Sequence, residues 1–209
     1  MISVENLSKA YKKQEVLKGI TQTFAAGTIY GLVGPNGCGK TTLMRCICGF
    51  ARPTSGQVIV DGKQVGKDTD FAPSTGMIIE EPGFLSQTSG LRNLLVLANL
   101  SKHATAAEAE EVMRMLGLDP DDKKPVGKYS LGMRQRLGIA QAIMEDPKNL
   151  ILDEPFNGLD KHGVAEVHGL LQRLKEQGKT IILASHSAAD IAQACDMTFE
   201  MQDGRLIKQ

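Results

Sequence analysis

The stretch Gly34-Pro35-Asn36-Gly37-Cys38-Gly39-Lys40-Thr41-Thr42 constrains this chain more than any other, because it meets every fixed position of a phosphate-binding loop. An apolar run, Ile29 to Val33, precedes it and a segment of helical character, Thr41 to Cys48, follows it. That strand, loop, helix order is the context such a loop requires. A triphosphate presents several charged oxygens that need donors. Glycines at 34, 37 and 39 let successive backbone N–H groups turn inward toward them, and Asn36, Cys38 and Thr42 complete the cradle. Lys40 is placed to reach the β and γ phosphates, Thr41 to offer its hydroxyl to Mg²⁺, and the start of the following helix adds its positive dipole end. A loop that only joined a strand to a helix would need neither the lysine nor the hydroxyl.

With 209 residues, the chain suits one sizeable domain with room for an embedded subdomain, and it can bury a substantial core without disulfides. Its 24 Lys and Arg balance 24 Asp and Glu, so it carries no net basic field of the kind nucleic-acid binding commonly relies on, and no nucleic-acid partner is expected. Lys12-Lys13 and Lys123-Lys124 read as solvated surface pairs. Cys38, Cys46, Cys48 and Cys195 lack Cys-x-x-Cys spacing, which points to reduced, partly buried thiols and a cytoplasmic setting. The opening Met-Ile-Ser-Val-Glu has no secretory pattern, and no apolar run reaches the ~20 residues of a spanning helix. Any membrane role is therefore expected to run through a partner.

Loose alternation from Ile2 to Phe24, broken at Lys12-Lys13-Gln14, predicts two antiparallel strands, with a third at Gln57 to Val60 ending in an Asp61-Gly62 turn. Gly76 to Ile79 is a short apolar run. From Leu91 to Leu116 the pattern becomes helical, with Leu91, Leu94, Leu95 and Ala98 on one face and Ala109, Val112, Met113 and Leu116 on another. Ser130 to Met144 predicts a helix, Leu150 to Leu152 a buried parallel strand, Val164 to Leu174 a helix, Thr180 to Ala184 a further buried strand, Asp190 to Ala194 a short helix, and Met197 to Lys208 a hairpin around Asp203-Gly204. Strands alternating with helices around a phosphate loop indicate an α/β parallel sheet, to which the antiparallel start and the helical middle are additions. His103, His162 and His168 are expected at the surface.

Asp153-Glu154 stands directly after the Leu150 to Leu152 run, at the edge of a parallel sheet where ligands bind. Asp153 suits hydrated Mg²⁺, and Glu154 suits accepting a proton from the water that attacks the γ-phosphate. The order of phosphate loop, helical middle, Tyr129-Ser130-Leu131-Gly132-Met133-Arg134-Gln135-Arg136, Asp153-Glu154, Gly158-Leu159-Asp160 and His186 resembles an ATP-binding cassette (ABC) ATPase over nearly the whole chain. The segment Tyr129 to Arg136 corresponds to the family signature, usually Leu-Ser-Gly-Gly-Gln, so Ser130 and Gly132 match while Tyr129, Leu131 and Met133 depart. The signature's spelling, with Ile79-Glu80-Glu81-Pro82-Gly83-Phe84, is similar to cassettes of bacitracin and lantibiotic self-protection exporters, in which a glutamate stands where most of the family has glutamine.

The resemblance implies the phosphate-loop NTPase fold: one ATPase domain over 1–209 with a mainly parallel sheet, an antiparallel β subdomain and an inserted α-helical subdomain over 84–135 that ends at the signature. It implies ATP hydrolysis with Lys40, Glu154 and His186 as catalytic residues, His186 contacting the γ-phosphate. Thr41, Asp153 and Glu80 are then placed at Mg²⁺, and Tyr11 on adenine. Ser130 and Gly132 touch a γ-phosphate, and Asp160 communicates across a dimer. Read alone, Tyr11 is strand packing, Ser130 and Asp160 are helix caps, His186 is structural, and Glu80 is a strand-end acid. The implied partners are a second ATPase subunit and a multi-spanning permease at the inner face of the membrane, for export of, or immunity to, antimicrobial peptides or drugs. A soluble cassette acting on ribosomes or DNA is disfavoured by the single phosphate loop and the lack of sustained heptads. A nucleotide sensor without turnover is disfavoured by Glu154. Lys40→Ala is expected to remove most ATP turnover, a loss on the order of several kcal/mol of transition-state stabilisation; a steady-state phosphate-release assay checks it, and unchanged turnover would reject the cradle.

Overall fold

The structure, a computed structural model, describes residues 1–209. The first half runs β1 (Ile2–Tyr11), β2 (Gln14–Phe24), β3 (Thr28–Val33), α1 (Lys40–Cys48), β4 (Ser55–Val60), β5 (Lys63–Gln64), β6 (Thr75–Ile78), α2 (Gly90–Ser101) and α3 (Ala106–Met115). The second half adds a 3-10 turn (Val126–Lys128), α4 (Leu131–Ile143), β7 (Asn149–Asp153), α5 (Lys161–Glu176), β8 (Thr180–Ala184), α6 (Ala188–Ala194), β9 (Met197–Gln202) and β10 (Arg205–Lys208).

Four strands form an antiparallel sheet in the order β2-β1-β4-β5, with β1 paired to β2 from Ile2↔Phe24 to Tyr11↔Gln14. The other six form the order β10-β9-β3-β8-β7-β6, parallel from β9 to β6, with β10 antiparallel at one edge. Every residue of β7 and β8 is buried, which is why both read as unbroken apolar runs: each face of these strands meets a core. Their side chains divide by the period of two. Leu150, Leu152, Ile181 and Leu183 face a core shared with α2 to α6, while Ile151, Ile182 and Ala184 face a second core shared with α1 and the antiparallel sheet.

The helices begin and end where local chemistry dictates. Ser89 and Thr105 cap α2 and α3, the latter in a reciprocal capping box with Glu108. The helical pattern that spans Leu91 to Leu116 is interrupted by Lys102 in the left-handed region (φ 59°), so it folds as two helices rather than one. Within 84–135 lie α2, α3, the 3-10 turn and the first residues of α4, which continues past that stretch to Ile143. The tail forms the expected β9–β10 hairpin, with φ 48° at Asp203 and 78° at Gly204, but β9 also pairs in parallel with β3, a long-range contact that hairpin signals do not carry. All four cysteines are free, and burial pushes the Cys46 thiol up to about 11 and the Cys48 and Cys195 thiols up to about 12.

His168 corrects the surface expectation. It is half-buried on α5, its ring lies edge-on to Phe156 with centroids 4.6 Å apart, and its Nε2 is buried without a hydrogen-bond partner. Desolvation holds its imidazole below the usual range, opposed in part by Asp190. The lone histidine gave no periodic signal of burial because α5 turns it toward the loop after β7, a tertiary contact. His103 and His162 are exposed.

The approach of β6 to α4 yields a stability test. A Cβ at Gly76 would stand 1.8 Å from the Ala142 carbonyl oxygen, a backbone atom, whereas one at Gly83 would meet nothing within 4 Å. Gly76→Ala is expected to lower unfolding free energy by about 2–3 kcal/mol or more and Gly83→Ala to change it by less than about 0.5 kcal/mol, measured by urea denaturation.

Candidate active site

The parallel sheet gathers the chemistry at the C-terminal ends of its strands. β3 runs into the phosphate loop, β7 ends at Asp153 and is followed by Glu154, β8 is followed by Ser185 and His186, and Glu80 lies two residues beyond β6. Gly39 takes φ 117° as the N-cap of α1, and a Cβ on Gly34 would come within 2.6 Å of the Met201 carbonyl oxygen, so these two places exclude other residues. The first turn of α1 carries no acidic residue, leaving its N–H groups and dipole free for an anion. Lys40, only 7 % exposed, folds back so that its ammonium donates to the carbonyls of Gly34 (2.6 Å) and Pro35 (3.2 Å).

One residue on, the Thr41 hydroxyl donates to Asp153 Oδ2 at 2.6 Å, joining the start of α1 to the end of β7. Asp153 is 8 % exposed. Burial raises its pKa; the Thr41 hydrogen bond and Lys40 pull it down, while Glu154 and Glu80 push it up. Two hard oxygen donors therefore face the cleft at the foot of the phosphate loop.

Glu154 departs from strand geometry at φ 50°, with its N–H bonded to the Ala184 carbonyl (2.8 Å) and its own carbonyl accepting from Gln135 Nε2 (3.2 Å). Its carboxylate is held from the β8–α6 loop. Oε1 accepts from the His186 N–H at 2.8 Å, and Oε2 lies 3.0 Å from both the Ser185 hydroxyl and His186 Nδ1. Glu80, at φ 60°, pairs with Arg45 of α1 at 2.8 Å. A cleft of about 400 Å³ is lined by Asn36, Gly37, Gly39, Lys40, Thr41, Thr42, Glu80, Asp153 and Glu154, and on its far side by Leu131, Arg134 and Gln135 of α4.

Not every residue named from the sequence lies there. Gly34 and Cys38 belong to the loop, but Cys38 faces a separate hollow beside Glu15 and Gln202. Tyr11, 46 % exposed, stands at the end of β1 outside the cleft, with the Lys9 ammonium 4.8 Å from its ring centroid. Ser130 caps α4 by accepting from the Met133 N–H (3.1 Å), and Gly132 lies against the loop after β7, where a Cβ would be 2.8 Å from the Gly158 carbonyl oxygen. Asp160 caps α5 by accepting from the Gly163 N–H (2.8 Å). Three contributors escaped the sequence reading. Ser185 adjoins His186, and Gln135 lies within the Tyr129 to Arg136 stretch, so both had a positional signal; Arg45 had none, because its partner is 35 residues away.

The family model described as ABC transporter matches residues 17–157. An uncharacterized ABC transporter ATP-binding protein, YybJ of Bacillus subtilis (strain 168), is 46% identical over 206 residues, 99% of this chain and 94% of the relative. Bacitracin transport ATP-binding protein BcrA of Enterococcus faecalis is 41% identical over 211 residues, spanning 100% of this chain and 68% of BcrA. Lantibiotic transport ATP-binding protein SrtF of Streptococcus pyogenes is 35% identical over 207 residues, 99% of this chain and 89% of SrtF. Among solved structures, an ATP-binding subunit of an ABC transporter superposes with TM-score 0.89 at 27% identity, over 100% of this chain and 89% of that one. With a matching family model and relatives of this identity and coverage, the chain belongs to the ABC transporter family, as an ATPase subunit.

Proposed function

We propose that this subunit binds ATP with Mg²⁺ in the cleft at the strand ends, closes with a second ATPase subunit around the nucleotide, and drives a separate membrane permease that exports antimicrobial peptides or drugs or protects against them. The observation that carries this reading is the convergence of Lys40, the Thr41–Asp153 pair and a carboxylate, Glu154, held at both oxygens. No group of three His, Cys, Asp or Glu side chains is arranged to hold a metal by itself. A hydroxyl and a carboxylate 2.6 Å apart suit Mg²⁺, an ion that binds few protein oxygens and fills its octahedron from phosphates and water. Glu80 stands close enough to Asp153 to act on its charge and completes the set. The ion supplies neutralisation of the β and γ phosphate charge.

The chain's own groups divide the remaining work. The loop amides and the N-terminus of α1 hold the phosphates, and Lys40, exchanging two carbonyls for phosphate oxygens, places a full charge on the β and γ groups. Glu154 takes a proton from the attacking water, and His186 steadies the γ-phosphate. Catalysis then rests on position and electrostatics, with no covalent intermediate.

A second subunit is supported by what lies outside the cleft. Ser130 and Gly132, at the start of α4, and Asp160, at the start of α5, do not line this cleft, so a second copy would be needed to bring a signature to the phosphate loop. Tyr11, with one face of its ring near Lys9 and the side chain 46 % exposed, is suited to stack on adenine. The permease reading is supported by a groove between α2 and the end of α4, lined in part by Phe71, Met77, Leu97, Leu100 and Pro147, with the exposed Phe50 ring packed edge-on to Phe71. Leu100, 77 % exposed, adds to the apolar surface that this groove presents. No helix is long and apolar enough to cross a membrane, so such a partner supplies the pathway. The cargo class follows BcrA and SrtF, whose names refer to bacitracin and lantibiotic transport.

Two measurements test the reading. Glu154→Gln is expected to bind ATP but stall hydrolysis and to accumulate as a dimer in saturating ATP, while nucleotide-free protein elutes as a monomer on size exclusion with light scattering; a variant that stays monomeric counts against a shared site. Glu80→Gln, which exchanges a carboxylate for a neutral amide beside the metal position, is expected to lower permease-stimulated turnover and cellular protection several-fold more than basal turnover. Stimulation and protection both at the parent level would make Glu80 an ordinary strand-end acid.

A further inference from the structure

We infer that Ser185 is a positioning residue for the hydrolytic carboxylate, its hydroxyl fixing Glu154 Oε2 in the orientation that the attacking water needs; this rests on the reading of Glu154 as the proton acceptor. Ser185 is 2 % exposed, follows β8 directly, and is anchored by its own N–H, which donates to the Leu32 carbonyl of β3 at 3.2 Å. Its hydroxyl has one hydrogen to donate. The Ser187 N–H donates to Ser185 Oγ at 3.1 Å, so the hydroxyl already accepts from the start of α6, and its single proton is directed to Glu154 Oε2, 3.0 Å away. The polarity of this short chain, Ser187 to Ser185 to Glu154, is thereby set by the backbone.

The other holds on the carboxylate are of a different kind. The His186 N–H fixes Oε1, whereas His186 Nδ1, the second group at Oε2, belongs to a side chain that is 69 % exposed and that, in the role proposed for it, turns to the γ-phosphate when nucleotide binds. When that imidazole leaves, the buried Ser185 hydroxyl is the donor that stays on Oε2. Glu154 itself lies at φ 50°, outside the strand, so side-chain anchoring rather than sheet pairing decides where its carboxylate points. A carboxylate free to rotate would leave its lone pair off the water for part of the time, and small displacements of a reacting group cost rate steeply.

The test compares Ser185→Ala, Ser185→Cys and Ser185→Thr in the full chain, with Glu154→Gln as reference. Ser185→Ala is expected to lower kcat about tenfold or more, leaving KM and the dissociation constant for a fluorescent ATP analogue within about twofold. Ser185→Cys, nearly isosteric but a poor donor, is expected to show the same split, and it carries the test if the alanine variant does not fold by circular dichroism. Ser185→Thr, which restores the hydroxyl, is expected to recover most of the loss. Adding Ser185→Ala to Glu154→Gln is expected to cost nothing further in residual turnover, because the two act as one unit. If kcat in Ser185→Ala and Ser185→Cys stays within twofold of the parent, or if the loss falls on KM and affinity, or if threonine does not recover it, the positioning role is overturned. If Glu154→Gln itself hydrolyses ATP at the parent rate, the failure lies instead in the assignment of Glu154.

Discussion

The register between β7 and β8 is the constraint on which the site depends. These strands pair in parallel from Asn149↔Thr180 to Asp153↔Ala184, and both are buried on both faces. Neither strand carries a charged group before its final residue, so the first carboxylate, Asp153, stands at the last paired position of β7, at the sheet's edge. Because Asp153 lies opposite Ala184, the next residue on one chain, Glu154, meets the next residues on the other, Ser185 and His186. A slip of one residue would also exchange the two cores, moving Leu150 and Leu152 to the face now occupied by Ile151. Packing therefore secures the chemical geometry as a by-product of burying the strands correctly.

The charges around the cleft show the same economy. Glu80, Glu81, Asp153 and Glu154 line a site meant for a polyanion, against Lys40 and Arg134. Several of these acids are already engaged: Asp153 by the Thr41 hydroxyl, Glu154 by three groups of the β8–α6 loop, and Glu80 by Arg45. The Arg45–Glu80 pair is largely exposed, with 40% and 60% of the two side chains open to solvent, so its effect is on local charge and orientation more than on stability. Lys40 is satisfied by main-chain carbonyls, which a phosphate can replace without leaving a buried charge unpaired.

Two residues in this site, Glu80 and Glu154, hold positive φ although neither is glycine. Each directly follows, or nearly follows, a parallel strand, and each is tied by a side-chain or backbone partner on another element: Arg45 in one case, Ala184 and Gln135 in the other. Such conformations persist only where the surroundings over-determine them, and they mark the two points at which the chain turns a carboxylate toward the cleft.

Much of this was legible in the residues. The phosphate loop announces its own strand and helix, the unbroken runs Leu150 to Leu152 and Thr180 to Ala184 announce buried parallel strands, and Asp153-Glu154 announces an acidic edge, because each signal is local and each residue type has one good physical reason to stand there. Other features are decided by contacts distant in sequence. The pairing of β9 beside β3, the half-buried place of His168 and the ion pair between Arg45 and Glu80 involve partners that no periodicity names. The same holds for Ser185, which alone is a small polar residue beside a histidine and becomes an anchor only when β8 is laid against β7. Sequence by itself determined which elements form and what chemistry they carry, since propensity, burial pattern and motif are properties of neighbouring residues. Tertiary structure decided which side chains meet, since orientation at a strand end depends on the register of the strand beside it.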